Sequence, residues 1–232
     1  MLWFGDSNSR RLMTLLLHGE KNPCKDRSAS CWIVGGRYRD IFGFHVERKV
    51  WIGLNEQTSD PETVLKSFYS RKEEGALIRF MFINGLNSVE NGSHAFTTLE
   101  RWKQFKDPSA QGVKLIVLSA GNWDGQRSSM PEWEKNIDKL ASILKERFID
   151  KGIQVVWFTP NFHTQTLFLN PYAVHKLTAI GAKVLDGFSL GIWRPDELPF
   201  PGYTGHSAWN RMEIQMQLLY NMLCNNMDES RT

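Results

Sequence analysis

Apolar residues in this chain gather in short runs, separated by longer stretches in which they recur at helical spacing. Leu2 to Phe4, Leu77 to Ile83, Leu115 to Leu118 and Val155 to Phe158 are runs rich in β-branched and aromatic side chains, the composition of buried strands. Between the last two, Pro131 opens a stretch in which Trp133, Ile137, Leu140, Leu144 and Phe148 follow at steps of four, three, four and four. That spacing predicts an amphipathic helix with one buried face, ending near Gly152. Trp209, Met212, Met216, Leu219 and Leu223 repeat it and predict a closing helix, whose Met and aromatic stripe reads as core packing rather than a cofactor site. After the first run, Arg11 to Leu17 is apolar enough to form a third, buried helix. Strands alternating with helices predict an α/β fold around a largely parallel sheet. Residues 19–66 are less regular, with Gly35-Gly36, Arg37-Tyr38-Arg39 and a single strand expected around His45 to Ile52.

Length and composition narrow this picture without redirecting it. The 232 residues contain no internal repeat, no low-complexity tract and no long Pro/Gly/Ser linker, so residues 1–232 read as one domain. No stretch approaches the ~20 uninterrupted apolar residues of a membrane span, and 41% hydrophobic with 23% charged residues is ordinary for a globular domain. Net charge is +3, from 28 Lys and Arg against 25 Asp and Glu, and the basic residues are scattered. Nucleic acid is therefore not an expected partner. The 9 Trp and 14 Phe suit a bulky core or an aromatic-lined cleft for sugar or lipid.

The three cysteines, Cys24, Cys31 and Cys224, form no CxxC pair and no zinc-ligand spacing with histidine, and no structural metal site is expected. Cys24 and Cys31, seven apart in a polar Pro-containing segment, read either as a small disulfide loop or as two free thiols. The disulfide reading favours the secretory-pathway lumen or the extracellular space, to which the sequon Asn91-Gly92-Ser93, a pattern common by chance, adds little. Against that, Met1-Leu2-Trp3-Phe4 runs straight into a motif and leaves no room for a signal peptide. Neither G-x-G-x-x-G nor a P-loop is present, so no nucleotide cofactor is expected.

Three segments carry candidate chemistry. Gly5-Asp6-Ser7-Asn8-Ser9-Arg10 passes from a strand end into a helix start, where open α/β sheets place their active sites and where the helix dipole favours a negative oxygen. The ordinary structural alternative is that Asp6, Ser7 or Ser9 caps the helix. Leu115 to Leu118 leads through Ser119-Ala120-Gly121-Asn122-Trp123-Asp124, a strand and a Gly-Asn turn that end on the same side of a parallel sheet as Ser7. Here the ordinary alternative is a turn that merely favours left-handed backbone. Finally, a nucleophilic serine needs a base. Of six histidines, His206 in Gly202-Tyr203-Thr204-Gly205-His206-Ser207, directly before the closing helix, is best placed, with His163 after Pro160-Asn161-Phe162 second.

Taken together, these segments resemble the SGNH (GDSL-like) hydrolases, and more narrowly the Gly-Asp-Ser-x-x-Arg form of the PC-esterase group, related to trichome-birefringence-like and capsule-type O-acetyl-modifying proteins. The resemblance implies a flavodoxin-like three-layer sandwich with a mostly parallel central sheet. It implies Ser7 as nucleophile and, through its amide, as oxyanion donor, with the Asn122 side chain as a second donor. A glycine amide after an intervening strand is the third, assigned to Gly85, with Gly35 and Gly36 as alternatives. His206 becomes the base and Arg10 the substrate-binding residue, with no cofactor and no metal. Two departures stand out. Gly121 and Asn122 are adjacent where the family has a residue between them, and Tyr203 stands where the family has the triad aspartate. Asp196 or Glu197 is the candidate replacement acid, or a backbone carbonyl completes a Ser-His dyad, while Asp186, after Val184-Leu185, reads as a structural strand-end residue. The activity implied is a serine-dependent O-acyl, chiefly O-acetyl, esterase or acyltransferase acting on an acylated small molecule or glycan. The alternative is a degenerate domain that binds a glycan or a partner protein.

Overall fold

A computed structural model of the chain describes residues 1–6, 9, 12, 41–45, 50–53, 77–83, 85–86, 113–160, 166–193, 214–219 and 221–222. Among them, seven strands form one sheet: β1 (Leu2–Gly5), β2 (Ile41–His45), β3 (Val50–Gly53), β4 (Leu77–Phe82), β5 (Leu115–Leu118), β6 (Gln154–Phe158) and β7 (Lys183–Leu185). Their order across the sheet is β3-β2-β4-β1-β5-β6-β7. From β4 through β1, β5 and β6 to β7 every pairing is parallel, while β2 runs antiparallel to both β4 and β3. The α/β class and the largely parallel sheet follow the sequence pattern. One detail does not. The single strand expected from His45 to Ile52 is two antiparallel strands, and the sequence between them, Val-Glu-Arg-Lys at 46–49, interrupts the apolar run with three charged residues.

Helices connect the parallel strands. α1 (Asp124–Arg127) and α2 (Met130–Arg147) follow β5, a 3-10 turn (Ile149–Lys151) precedes β6, α3 (Leu169–Ala179) precedes β7, and α4 (Gly187–Trp193) follows it. Ser129 caps α2: its backbone N–H and hydroxyl both donate to Glu132, and Pro131 occupies the first turn, where its missing N–H leaves no partner wanting. Gly152, at φ 74, closes the 3-10 turn in left-handed backbone that other residues adopt at a cost.

Register explains the core. Leu2, Ile116 and Val155 stand side by side on neighbouring strands, as do Phe4, Leu118 and Trp157, so these six share one face. They pack with Trp133, Ile137, Leu140 and Leu144 of α2 and Leu169, Ala173 and Leu177 of α3 in one buried cluster. Each such side chain contributes roughly 1.5–3 kcal/mol on burial. The Trp133 indole N–H donates to the Leu169 carbonyl at 2.9 Å, tying α2 to α3. Trp3, Val117, Val156 and Phe158 alternate onto the opposite face and are equally buried. There α4 comes so close that a Cβ on Gly187 would lie 2.5 Å from Phe158 and 2.8 Å from the Gln215 amide of the helical residues 214–219. Helices thus cover both faces. Met216 and Leu219 are buried, as the closing-helix spacing requires, while Trp209, Met212 and Leu223 lie outside the described residues. No helix among the described residues is long and apolar enough to cross a membrane.

Candidate active site at the carboxyl edge of the sheet

Because β4, β1 and β5 are adjacent and parallel, the segments that leave their carboxyl ends emerge side by side. β1 is bonded on both flanks to its very end, with Ile83 N–H donating to Gly5 O and Ser119 N–H to Phe4 O, both at 2.9 Å. Gly5 is required at this point. A side chain there would run into Cβ and Oγ of Ser9, which packs directly on the strand end in helical conformation and is fully buried. The Asp6 carboxylate follows, and its Oδ1 accepts the Ser9 N–H at a long 3.4 Å, the three-residue spacing of a helix N-cap. The capping role weighed for Asp6 is therefore present.

Capping is not all that Asp6 does. Its other oxygen accepts the side-chain amide of Asn122 at 2.6 Å, across 116 residues of sequence. This bond joins the end of β1 to the turn after β5 and brings the first two sequence motifs together. It also orients the amide: a carboxylate only accepts, so Asn122 must turn its nitrogen toward Asp6. One of the two N–H groups is engaged there. Asn122 is half-buried.

The turn itself needs Gly121, whose backbone sits at φ 122 with Pro160 packed where a Cβ would stand, its Cγ 2.9 Å away. Trp123 is half-buried, with the Arg127 guanidinium 5.0 Å from its ring centre, a cation–π contact. Asp124 is the residue that sequence reasoning passed over. Its carboxylate is buried beneath the turn, Oδ1 accepting the Leu86 N–H at 2.7 Å and Oδ2 the Gly121 N–H at 3.0 Å. Burial pushes its pKa up from 3.8 to about 6, against the stabilising effect of these backbone N–H groups and of its own amide, and the negative charge of Asp6 adds to the rise. The sequence places it at the end of the second motif but assigns it no role, since an Asp at a helix start is expected as an exposed cap.

Gly85 lies in the same cluster, at φ 97. A Cβ there would fall 2.8 Å from Asp124 Oδ1, so left-handed backbone and close approach both demand glycine. Further along the edge, Asp186 accepts the Ser189 N–H at 2.9 Å and caps α4, the structural strand-end role expected of it. Thr159 Oγ1 accepts the Phe188 N–H at 2.9 Å and ties β6 to the same helix.

Of the sequence-predicted site residues, Asn122 and Gly85 are thus found together at one edge, around Asp6 and Asp124. Ser7, Arg10, Asp196 and His206 lie outside the described residues, as do the alternatives Gly35, Gly36, His163 and Glu197, with Tyr203, Cys24, Cys31 and Asn91. Among the described residues no three His, Cys, Asp or Glu side chains gather as metal ligands. No family model and no curated protein sequence matches this chain.

Proposed function

We propose that the chain is a serine-dependent O-acyl esterase or acyltransferase of the SGNH type, with a three-layer sandwich as scaffold and an acylated, chiefly O-acetylated, carbohydrate as substrate. The observation that carries this reading is the 2.6 Å bond from Asn122 Nδ2 to Asp6, the residue directly before Ser7. It brings the side-chain amide that the resemblance assigns to oxyanion binding to the end of the strand that leads into the proposed nucleophile.

In this mechanism Ser7 Oγ attacks the ester carbonyl and passes its proton to His206. The carbonyl oxygen becomes an oxyanion held by the second Asn122 N–H and by the backbone N–H groups of Ser7 and Gly85. Collapse expels the alcohol, which takes its proton from His206, and leaves an acyl group on Ser7. Water then yields hydrolysis, and a sugar hydroxyl yields transfer. Preorganised donors of this kind are worth about 10²–10³ in rate each, because they lie where charge develops and need no reorganisation. Arg10 binds the substrate, and Asp196 orients the imidazole unless a Ser-His dyad operates.

A fluorophosphonate probe, which reacts only with an activated serine, tests the reading. The wild type is expected to be labelled and Ser7→Ala to be unlabelled with its fold intact. An unlabelled wild type, or a labelled Ser7→Ala, refutes the assignment. Tyr203, three residues before His206, favours the second reading, a catalytically silent domain that binds a glycan or a partner protein. Glycan binding by an unlabelled wild type is its signature.

A further inference from the structure

The sheet order places β1 between β4 and β5, so the segments leaving β4 and β5 are separated by two strand spacings, about 10 Å. No ladder hydrogen bond can join them. Asp124 does so with its side chain, one oxygen on the Leu86 N–H and the other on the Gly121 N–H. Leu86 is the neighbour of Gly85, and Gly121 is the neighbour of Asn122.

We infer that Asp124 is a positioning residue of this site, a buried clasp that spans the end of β1 and fixes the turn carrying Gly85 relative to the turn carrying Asn122. The inference deepens the proposed function and rests on its reading of Gly85 and Asn122 as oxyanion donors. Three observations support it. Only a carboxylate has two acceptor oxygens and no donor, and both oxygens here are held by backbone N–H groups from different loops. Gly85 has no Cβ because the carboxylate occupies that space. And Asp124 is buried beside a second acid, Asp6, the ionisable group that faces it among the described residues. Strongly perturbed acids gather at functional sites, and this one lies directly between the two proposed donors. The peptide plane that carries the Leu86 N–H begins at Gly85 Cα, and the one that carries the Gly121 N–H ends at Gly121 Cα, next to Asn122, so the clasp fixes the backbone on which both donors stand.

Two measurements test the clasp. By NMR of the wild type, the amide protons of Leu86 and Gly121 are expected to shift together, with one midpoint near pH 6 set by the carboxyl they share. Separate midpoints for the two amides overturn it without any variant. In parallel, Asp124→Asn retains shape and loses one acceptor. It is expected to lower kcat on 4-nitrophenyl acetate about tenfold to hundredfold, the effect of misplacing catalytic donors, with KM changed less than about twofold. A folded variant with undiminished kcat overturns the positioning role. A wild type that no fluorophosphonate labels, yet whose two amides titrate together, faults the esterase reading and leaves the clasp standing. A labelled wild type with independent amides faults the clasp alone.

Discussion

Replacing Asp124 by Asn should change how the stability of the protein depends on pH, and the size of that change follows from the site. In the unfolded chain the carboxyl titrates near 3.8, and in the folded chain burial raises it to about 6. The folded state therefore binds this proton more tightly. Between the two values it carries more protons than the unfolded state, and stability falls as pH rises through the window. The contribution is fully present below about pH 3.8 and lost above about pH 6, and a rise of roughly two units corresponds to about 3 kcal/mol. Between pH 4.5 and 7.5 about 2 kcal/mol of it is spanned. Asn does not titrate, and groups common to both proteins cancel in the comparison. Urea unfolding of wild type and Asp124→Asn at these two pH values should show the wild type losing about 2 kcal/mol relative to the variant on going to the higher pH. The absolute offset between the proteins is not diagnostic, since Asn relieves a buried charge but leaves one backbone N–H without its acceptor, at about 1–3 kcal/mol. A difference that stays constant within about 0.5 kcal/mol across the pH range, comparable to ordinary surface scatter, would refute the burial argument.

Four further outcomes are expected. Asn122→Ala should lower kcat for ester cleavage about 10²–10³-fold with a normal circular dichroism spectrum, and a near wild-type rate would remove Asn122 from the oxyanion hole. Gly85→Ala combines a positive φ with a Cβ 2.8 Å from Asp124, and should cost roughly 2–4 kcal/mol by urea unfolding, since the left-handed penalty alone is about 1–2. Trp133→Phe removes the indole N–H bond to the Leu169 carbonyl and leaves part of a fully buried site unfilled, and should cost about 1–3 kcal/mol, read as a lower thermal midpoint, in a protein whose ester chemistry is unchanged. Asp196→Asn should lower kcat by orders of magnitude if Asp196 orients His206, and little if a dyad operates, in which case Tyr203→Asp should raise the rate.

The central strands were legible because β1, β5 and β6 are buried on both faces and so read as short, continuous apolar runs, as at Leu115–Leu118, where expected and observed bounds coincide. α2 was legible through its spacing, though Phe148 falls just past the helix end and keeps its buried place from the turn instead. α3 was not anticipated. Its eleven residues include Tyr172 and Val174, only partly buried, and exposed His175, which blur the periodicity, and its docking relies on the bond from Trp133, which no local pattern encodes. The β2–β3 pair was read as one strand because three consecutive charged residues, Glu47, Arg48 and Lys49, resemble the solvent side of a strand as much as a reversal. At the site, the motifs named Asn122 and Gly85 but not what holds them. A carboxylate accepting backbone N–H groups 38 residues apart and three residues apart at once leaves no spacing rule in the sequence.

The two acids at this edge are bonded to different kinds of partner, and the contrast assigns their work. Asp124 is enclosed by backbone donors that belong to the loops themselves, so its charge is spent internally and its burial raises its pKa. Asp6 gives one oxygen to the helix start at Ser9 and the other to a side chain, Asn122, that extends from a half-buried turn. Ionised Asp6 locks the orientation of that amide, since its protonated form is able to donate to the amide oxygen and permit the opposite arrangement. An Asn122 turned the other way would present a carbonyl, not an N–H, to a developing oxyanion, and would repel it. The charge on Asp6 thus matters to the proposed chemistry through the direction it imposes on its neighbour, not through contact with substrate. Asp124, lying close enough to disfavour a second negative charge, couples the two: protonating Asp124 makes ionised Asp6 easier to keep and loosens the loops that Asn122 must bridge. Orientation and spacing of the donors therefore answer to two different carboxylates at one edge, and burial of Asp124 places the change in spacing near pH 6.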